Sequence, residues 1–202
     1  MAAFSEAPSF RIEVMTDAKT TMLPSATPQV IRECGSCMLC CKLFPVKYFD
    51  KPAGKWCVNA KPGKGCSIHD TRPNVCRAFQ CEWTTNPLMD PSWQPDKTKF
   101  FIYRSSAKQH MIMVDPGSPQ AWKAPQYYAS IKQIAAEITY AGGMVMVCVG
   151  LRRIVVLPDR DEDLGTGVAD RQIFIDRMES PSSTQFRVRV GGIEPNPPQE
   201  PV

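Results

Sequence analysis

Past about residue 98 the chain alternates short apolar runs with one helical repeat. Phe-Phe-Ile-Tyr at 100–103 and Met-Ile-Met-Val at 111–114 read as two strands, with a loop around residues 105–108. Pro119 and Pro125 bracket a helix start, and Tyr127, Ile131, Ile134, Ala135 and Ile138 recur at the helical period until Gly142-Gly143 ends it. Residues 144–149 and 154–157 predict a second strand pair across 150–153. Residues 159–163 form a charged turn, and 173–175 and 186–190 are further strands, the last alternating as at a sheet edge. Upstream the periodicity fades. Residues 1–30 read as irregular apart from a short alternating strand at 10–14. Residues 31–84 have few periodic apolar positions and are broken by Pro45, Pro52, Pro62, Pro73, Gly54, Gly63 and Gly65.

The predicted class is therefore α+β: a loop-rich segment followed by a mostly antiparallel sheet carrying one main helix. Its expected divisions are 1–30, a Cys-rich module over 31–84, an α+β region over 85–194 packed on that module, and a disordered tail over 195–202. Residues 85–98 are a polar connector. The length of 202 residues suits one domain with a small appended module. No apolar run reaches the roughly 20 residues that span a bilayer. The start lacks a basic leader and an apolar stretch, which predicts a cytoplasmic chain outside the membrane. Walker loops, dinucleotide glycine fingerprints and serine-nucleophile elbows are missing from the sequence.

Cysteine changes the picture. Eight of nine fall between Cys34 and Cys81: Cys34, Cys37, Cys40, Cys41, Cys57, Cys66, Cys76 and Cys81. Clustered thiols in a cytoplasmic chain point to metal rather than to disulfides. Thiolate is the preferred ligand of zinc and of iron–sulfur iron. The Cys34-x2-Cys37-x2-Cys40 run leans towards a four-iron cluster. Adjacent Cys40 and Cys41 face different sites more easily than one ion, which leaves one centre or two open. A bound ion would supply about 10–16 kcal/mol to a segment too poor in apolar residues to fold alone. His69 reads first as a structural turn residue, Arg72 and Arg77 as donors to thiolate, and Asp70 as a brace for Arg72 or a cap of the next turn. Trp56 and Trp83 flank ligand candidates and would shield them from water. Cys148 lies in an apolar run and reads as a small buried hydrophobe.

Eight basic residues between Cys34 and Cys81 face only Asp50 and Asp70, so the segment carries +6 within a chain of +4. Cations offset thiolate charge. A zinc-ribbon-like nucleic-acid binder is a rival reading, weakened because the lysines lie in loops.

The order Cys-x2-Cys-x2-Cys-Cys, two spaced cysteines, then His69-Asp70-x-Arg72-Pro73-x2-Cys76-Arg77-x3-Cys81 resembles the YkgJ-like CxxCxxCC family, related to flagellin N-methylase. The resemblance covers residues 31–84. Where that family usually has Tyr before Asp-x-Arg-Pro, this chain has His69. The resemblance implies zinc or iron chelation through all eight cysteines, with no assigned reaction. The expectation is thus a metal-binding protein with an unidentified protein partner. The alternative is an iron–sulfur-dependent enzyme of modification or redox chemistry.

Overall fold

A computed structural model describes residues 31–193. The segment 1–30, with the strand expected at 10–14, and the tail expected from 195 lie outside the described residues. In chain order the elements are α1 (Leu39–Leu43), β1 (Ala60–Lys61), β2 (Gly65–Cys66), α2 (Asn74–Ala78), α3 (Glu82–Thr85) and α4 (Pro95–Thr98). Then follow β3 (Phe100–Ser106), β4 (Gln109–Val114), α5 (Pro125–Tyr140), β5 (Met144–Val149), β6 (Arg152–Val156), β7 (Asp161–Gly165), β8 (Arg171–Ser180) and β9 (Ser183–Ile193).

Strands β3 to β7 form one sheet in sequence order. Both strand pairs read from the sequence are present as antiparallel hairpins, β3–β4 and β5–β6. They join through a parallel pairing, with Gln109 opposite Met144 and Val114 opposite Val149, so the sheet is mixed. The cause is α5, which carries the chain back along the sheet as a crossover. Pro125 opens this helix, where its missing N–H costs nothing. Gly142, at φ +75°, closes it. The Gly142 N–H donates to the Thr139 carbonyl and the Gly143 N–H to the Ile138 carbonyl, the two bonds of a Schellman motif.

The acidic stretch at 159–163 is not all turn. The chain reverses within 157–160, and Asp161 begins β7 opposite Val156. Its carboxylate accepts from the Tyr128 hydroxyl at 2.9 Å and pairs with Lys123 at 3.1 Å, so an acid is tolerated in the strand.

Side chains alternate across a strand, and β3 is apolar on both faces. Phe100 and Ile102 join Ile112, Val114, Trp122, Ile131 and Ala135 beneath α5. Phe101 and Tyr103 point the other way, onto Leu39, Leu43, Phe44, Phe79 and Trp83 of the Cys-rich segment. Over β5 and β6 that second face is covered instead by the β8–β9 hairpin, through Ile173, Ile175, Phe186 and Val188.

This corrects the expectation of a metal-stabilised module. The segment is indeed poor in apolar residues, but it packs against the sheet. The sheet face of β3 and β4 supplies the apolar area it lacks. Two cations, Lys51 buried and Arg32 half-buried, supply the rest by filling helix ends. Lys51 Nζ donates to the carbonyls of Lys42, Phe44 and Pro52 around the end of α1. The Arg32 guanidinium donates to the carbonyls of Trp83, Asn86, Pro87 and Met89 around the end of α3, and stacks 4.5 Å from the Trp83 ring. Arg32→Met keeps the stem but orphans those acceptors. It should cost about 2–3 kcal/mol in a urea titration, given what hydrogen bonds from charged groups contribute.

Candidate functional site

The eight cysteines reach the site from six short elements and loops. Cys34 and Cys37 sit on a turn closed by the Cys37 N–H donating to the Cys34 carbonyl at 2.9 Å. Cys40 and Cys41 follow within α1, where neighbours diverge by about 100°. The Cys57 N–H donates to the Cys41 carbonyl at 3.2 Å, which pins the next loop beneath α1. Cys66 lies in β2, opposite Ala60 of β1. Cys76 is presented by α2 and Cys81 by the residue before α3, where its Sγ lies 4.0 Å from Thr84 Oγ1.

All eight side chains line one cavity of about 440 Å³ between the segment and the sheet. All are free thiols; Cys81 is buried and the other seven are partly so. Phe44, Phe79, Phe101 and Tyr103 form its aromatic floor, with Phe44 and Phe79 ring centres 4.7 Å apart. His69, Arg72 and Val75 line it as well, and the exposure of His69 and Val75 marks where it meets solvent.

Electrostatics divide the thiols. Burial pushes the Cys34, Cys37, Cys76 and Cys81 thiols up, Cys37 to about 11. Cys40 rises because it is the donor in a hydrogen bond to Cys41, and burial adds to this. Cys41 moves the opposite way, to about 7: first through that hydrogen bond from Cys40, then, against its burial, through the charges of Lys51 and Arg72. Two overlapping neighbourhoods emerge. Cys34, Cys37, Cys40 and Cys81 act on one another, whereas Cys76 feels Cys41, Cys57 and Cys66. Cys41 is the link between them.

The geometry overturns the metal reading. Among the described residues no group of three or more His, Cys, Asp or Glu side chains could hold a metal ion. Cys34, Cys37, Cys40, Cys41, Cys57, Cys66, Cys76 and Cys81 are distributed over a wall instead of converging on a point. Zinc, an iron–sulfur cluster and the functions built on either are therefore withdrawn, together with the zinc-ribbon alternative.

Other sequence expectations divide. His69 Nδ1 lies 3.3 Å from Asp70 Oδ1 in an exposed pair, so Asp70 braces His69 and not Arg72. Arg77 donates to Asn74 Oδ1 at 2.6 Å and is exposed, away from the sulfurs. Arg72 does line the cavity, and its buried Nε has no protein partner. Trp83 is buried against the site, whereas Trp56 is 55% exposed. Cys148 is buried in β5 and takes no part. Sequence reasoning missed Lys51, which looks like any loop lysine. It also missed the aromatic floor, although the double-faced apolar run at 100–103 is a signal that something covers its second face.

The cavity wall depends on one close approach. Gly65 has φ +87°, and a Cβ there would lie 2.5 Å from the Gly35 carbonyl oxygen. Gly65→Ala should destabilise the protein by at least about 2 kcal/mol, the scale of a strained backbone position. It should also accelerate alkylation of Cys34, Cys37 and Cys66 in a mass-resolved labelling experiment, because the two loops must part.

Among the described residues no helix is long and apolar enough to cross a membrane. Compared with known proteins, the chain matches no family model, no curated protein and no solved structure. The resemblance to the YkgJ-like CxxCxxCC family is thus unsupported. Cysteine order and the Asp-x-Arg-Pro element suggest it over residues 31–84 only, whereas a family relationship requires agreement along the chain.

Proposed function

We propose that the protein is a thiol–disulfide exchange protein and that its thiol-lined cavity is the reaction site. One observation carries the reading: eight free thiols from six separate short elements and loops meet around a single cavity. Its volume of about 440 Å³ lies in the range of roughly 300–1,000 Å³ usual for small-molecule sites. Support comes from the asymmetry among the thiols. A thiolate is the attacking species, and Cys41 is held near neutrality while its neighbours are kept protonated. The proposed setting is the cytoplasm, where such thiols remain reduced.

The reaction balances without any bound group. The Cys41 thiolate attacks one sulfur of a disulfide, forms a mixed disulfide and expels the other sulfur as thiolate. A second protein thiol then displaces the retained half, leaving an intramolecular disulfide and two reduced substrate thiols. Cys40 is poorly placed for that step, because a bond between adjacent residues closes a small ring that the α1 backbone opposes. Cys57, tethered to the Cys41 backbone, and Cys76, which senses the Cys41 charge, are the candidates. An external dithiol would return the site to its reduced form.

The test is a stoichiometric reaction of fully reduced protein with the neutral aromatic disulfide dithiodipyridine. Two thiopyridone molecules should be released per reagent molecule, and peptide mapping should find Cys41 joined to Cys57 or Cys76. Reaction only in denaturant, or disulfides scattered among all eight cysteines, would refute the reading.

A further inference from the structure

The outer side of the cavity wall carries a second pattern that disulfide exchange does not use. Lys55, Trp56 and Val58 flank Cys57. Trp56 is 55% and Val58 74% exposed. Tyr48, also 74% exposed, packs edge-on against Phe49, which lines the cavity. Lys61 and Lys64 crown the turn of the β1–β2 hairpin, one pairing beyond Cys66. Large exposed apolar side chains are ordinary when scattered. Here three of them share one loop region with a row of cations.

Three cations elsewhere in the segment are committed. Lys42 is paired with Asp115 at 2.7 Å, Lys51 is buried on carbonyls, and Arg77 is held by Asn74. Lys55, Lys61 and Lys64 are exposed and form no ion pair among the described residues. The only acids in the stretch are Asp50 and Asp70. An uncompensated positive rim around exposed aromatic side chains is complementary to carboxylates interspersed with apolar residues.

We infer that the rim formed by Tyr48, Lys55, Trp56, Val58, Lys61 and Lys64 docks an acidic polypeptide whose cysteine is delivered to the thiol cavity. This deepens the exchange reading and rests on it. The substrate class is then an oxidised cysteine within an acidic, apolar-containing protein segment, with the lysines steering the encounter and Trp56 and Val58 seating it.

The experiment uses the full-length reduced protein and three probes. Two are synthetic peptides of equal length, each carrying one cysteine as its thiopyridyl mixed disulfide, flanked by four glutamates or by four lysines. The third is dithiodipyridine. Attack on the peptide sulfur releases thiopyridone, which is followed by absorbance. The glutamate peptide should react at least about tenfold faster than the lysine peptide at low salt, and the ratio should fall towards one in high salt, as electrostatic steering requires. The triple variant Lys55→Glu, Lys61→Glu, Lys64→Glu should reverse the preference, while its rate with dithiodipyridine stays within about twofold of the parent because the neutral probe feels little steering. Equal rates for the two peptides, or a preference untouched by the triple variant, would overturn the inference. So would a DNA duplex that abolishes the glutamate peptide's advantage at low concentration, which would assign the rim to nucleic acid. Failure with dithiodipyridine itself would instead sink the exchange reading.

Discussion

Cys41→Ser should abolish the fast phase of the reaction with dithiodipyridine and leave only slow modification of other thiols. The size of the loss follows from ionisation. With Cys41 near 7 and Cys37 near 11, their thiolate populations at pH 7 differ by about five-thousandfold. Lower basicity also makes Cys41 intrinsically less nucleophilic, which returns a factor of roughly 60, so the net advantage over a thiol as suppressed as Cys37 is on the order of 100-fold. Stopped-flow rates at fixed pH measure it directly. An unchanged fast phase would show that another cysteine is the nucleophile.

The same assignment dictates a pH profile. The parent rate should rise with pH through about 7 and then level, since only the Cys41 thiolate attacks. The first cause of its low value is the hydrogen bond from Cys40. Cys40→Ala removes that donor and should move the midpoint upward, whereas Cys40→Ser keeps a hydroxyl donor and should restore much of the shift. A variant that merely loosened the fold would not be rescued in this way. Stability is linked to the same groups. Cys41 is depressed below its ordinary value of 9.0, so its contribution is present above that value and fades as pH falls through about 7. Cys37 is raised, so its contribution is present below 9.0 and is lost as pH rises towards about 11. Cys34, Cys40, Cys76 and Cys81 act in the same direction as Cys37. The reduced protein should therefore lose stability on both sides of a mildly alkaline optimum.

Local pattern carried the sheet region well. The strand cores at 100–103, 111–114 and 144–149 and the helix through Ile131 and Ala135 lie within observed elements, and the run at 154–157 passes the end of β6 by one residue, Leu157. Hydrophobic periodicity is a property of a few consecutive residues, and these segments express it. Pairing is not local. Nothing in Gln109–Val114 or Met144–Val149 alone states that the two run parallel; that follows from the path of α5. Asp161 likewise reads as turn until Tyr128 and Lys123 are seen to partner its Oδ2. The cysteine cluster was visible as a cluster, and its members do share one cavity. Its chemistry was not, because ligation depends on whether sulfurs converge, and spacing in sequence does not determine that. The charge of the segment suggests compensation for bound thiolate, whereas its lysines have separate fates: buried cap at Lys51, ion pair at Lys42, exposed rim at Lys55, Lys61 and Lys64.

If the sheet rather than an ion organises the Cys-rich segment, Phe101 is its keystone. The ring is 2% exposed, sits 5.4 Å from Phe44 and 5.5 Å from Phe79, and shares a cluster with Leu39, Leu43 and Trp83. Phe101→Ala should cost about 3–5 kcal/mol, as for other buried aromatic truncations. The distribution of that loss is more telling than its size. Phe100, the next residue, faces the other way, onto Ile131 of α5 and Trp122 just before it. Hydrogen exchange on Phe101→Ala should therefore lose protection first in α1, α2 and α3, with β5 and β6 still protected. Phe100→Ala should do the reverse, exposing α5 before the Cys-rich segment. Dithiodipyridine then reports the same event chemically. In Phe101→Ala the buried thiols become reactive together and the selectivity for Cys41 disappears, because that selectivity exists only while the segment is held against the sheet. Identical protection patterns in the two variants would mean that the segment and the sheet unfold as one unit, and that the order around the thiols does not originate in the face presented by Phe101.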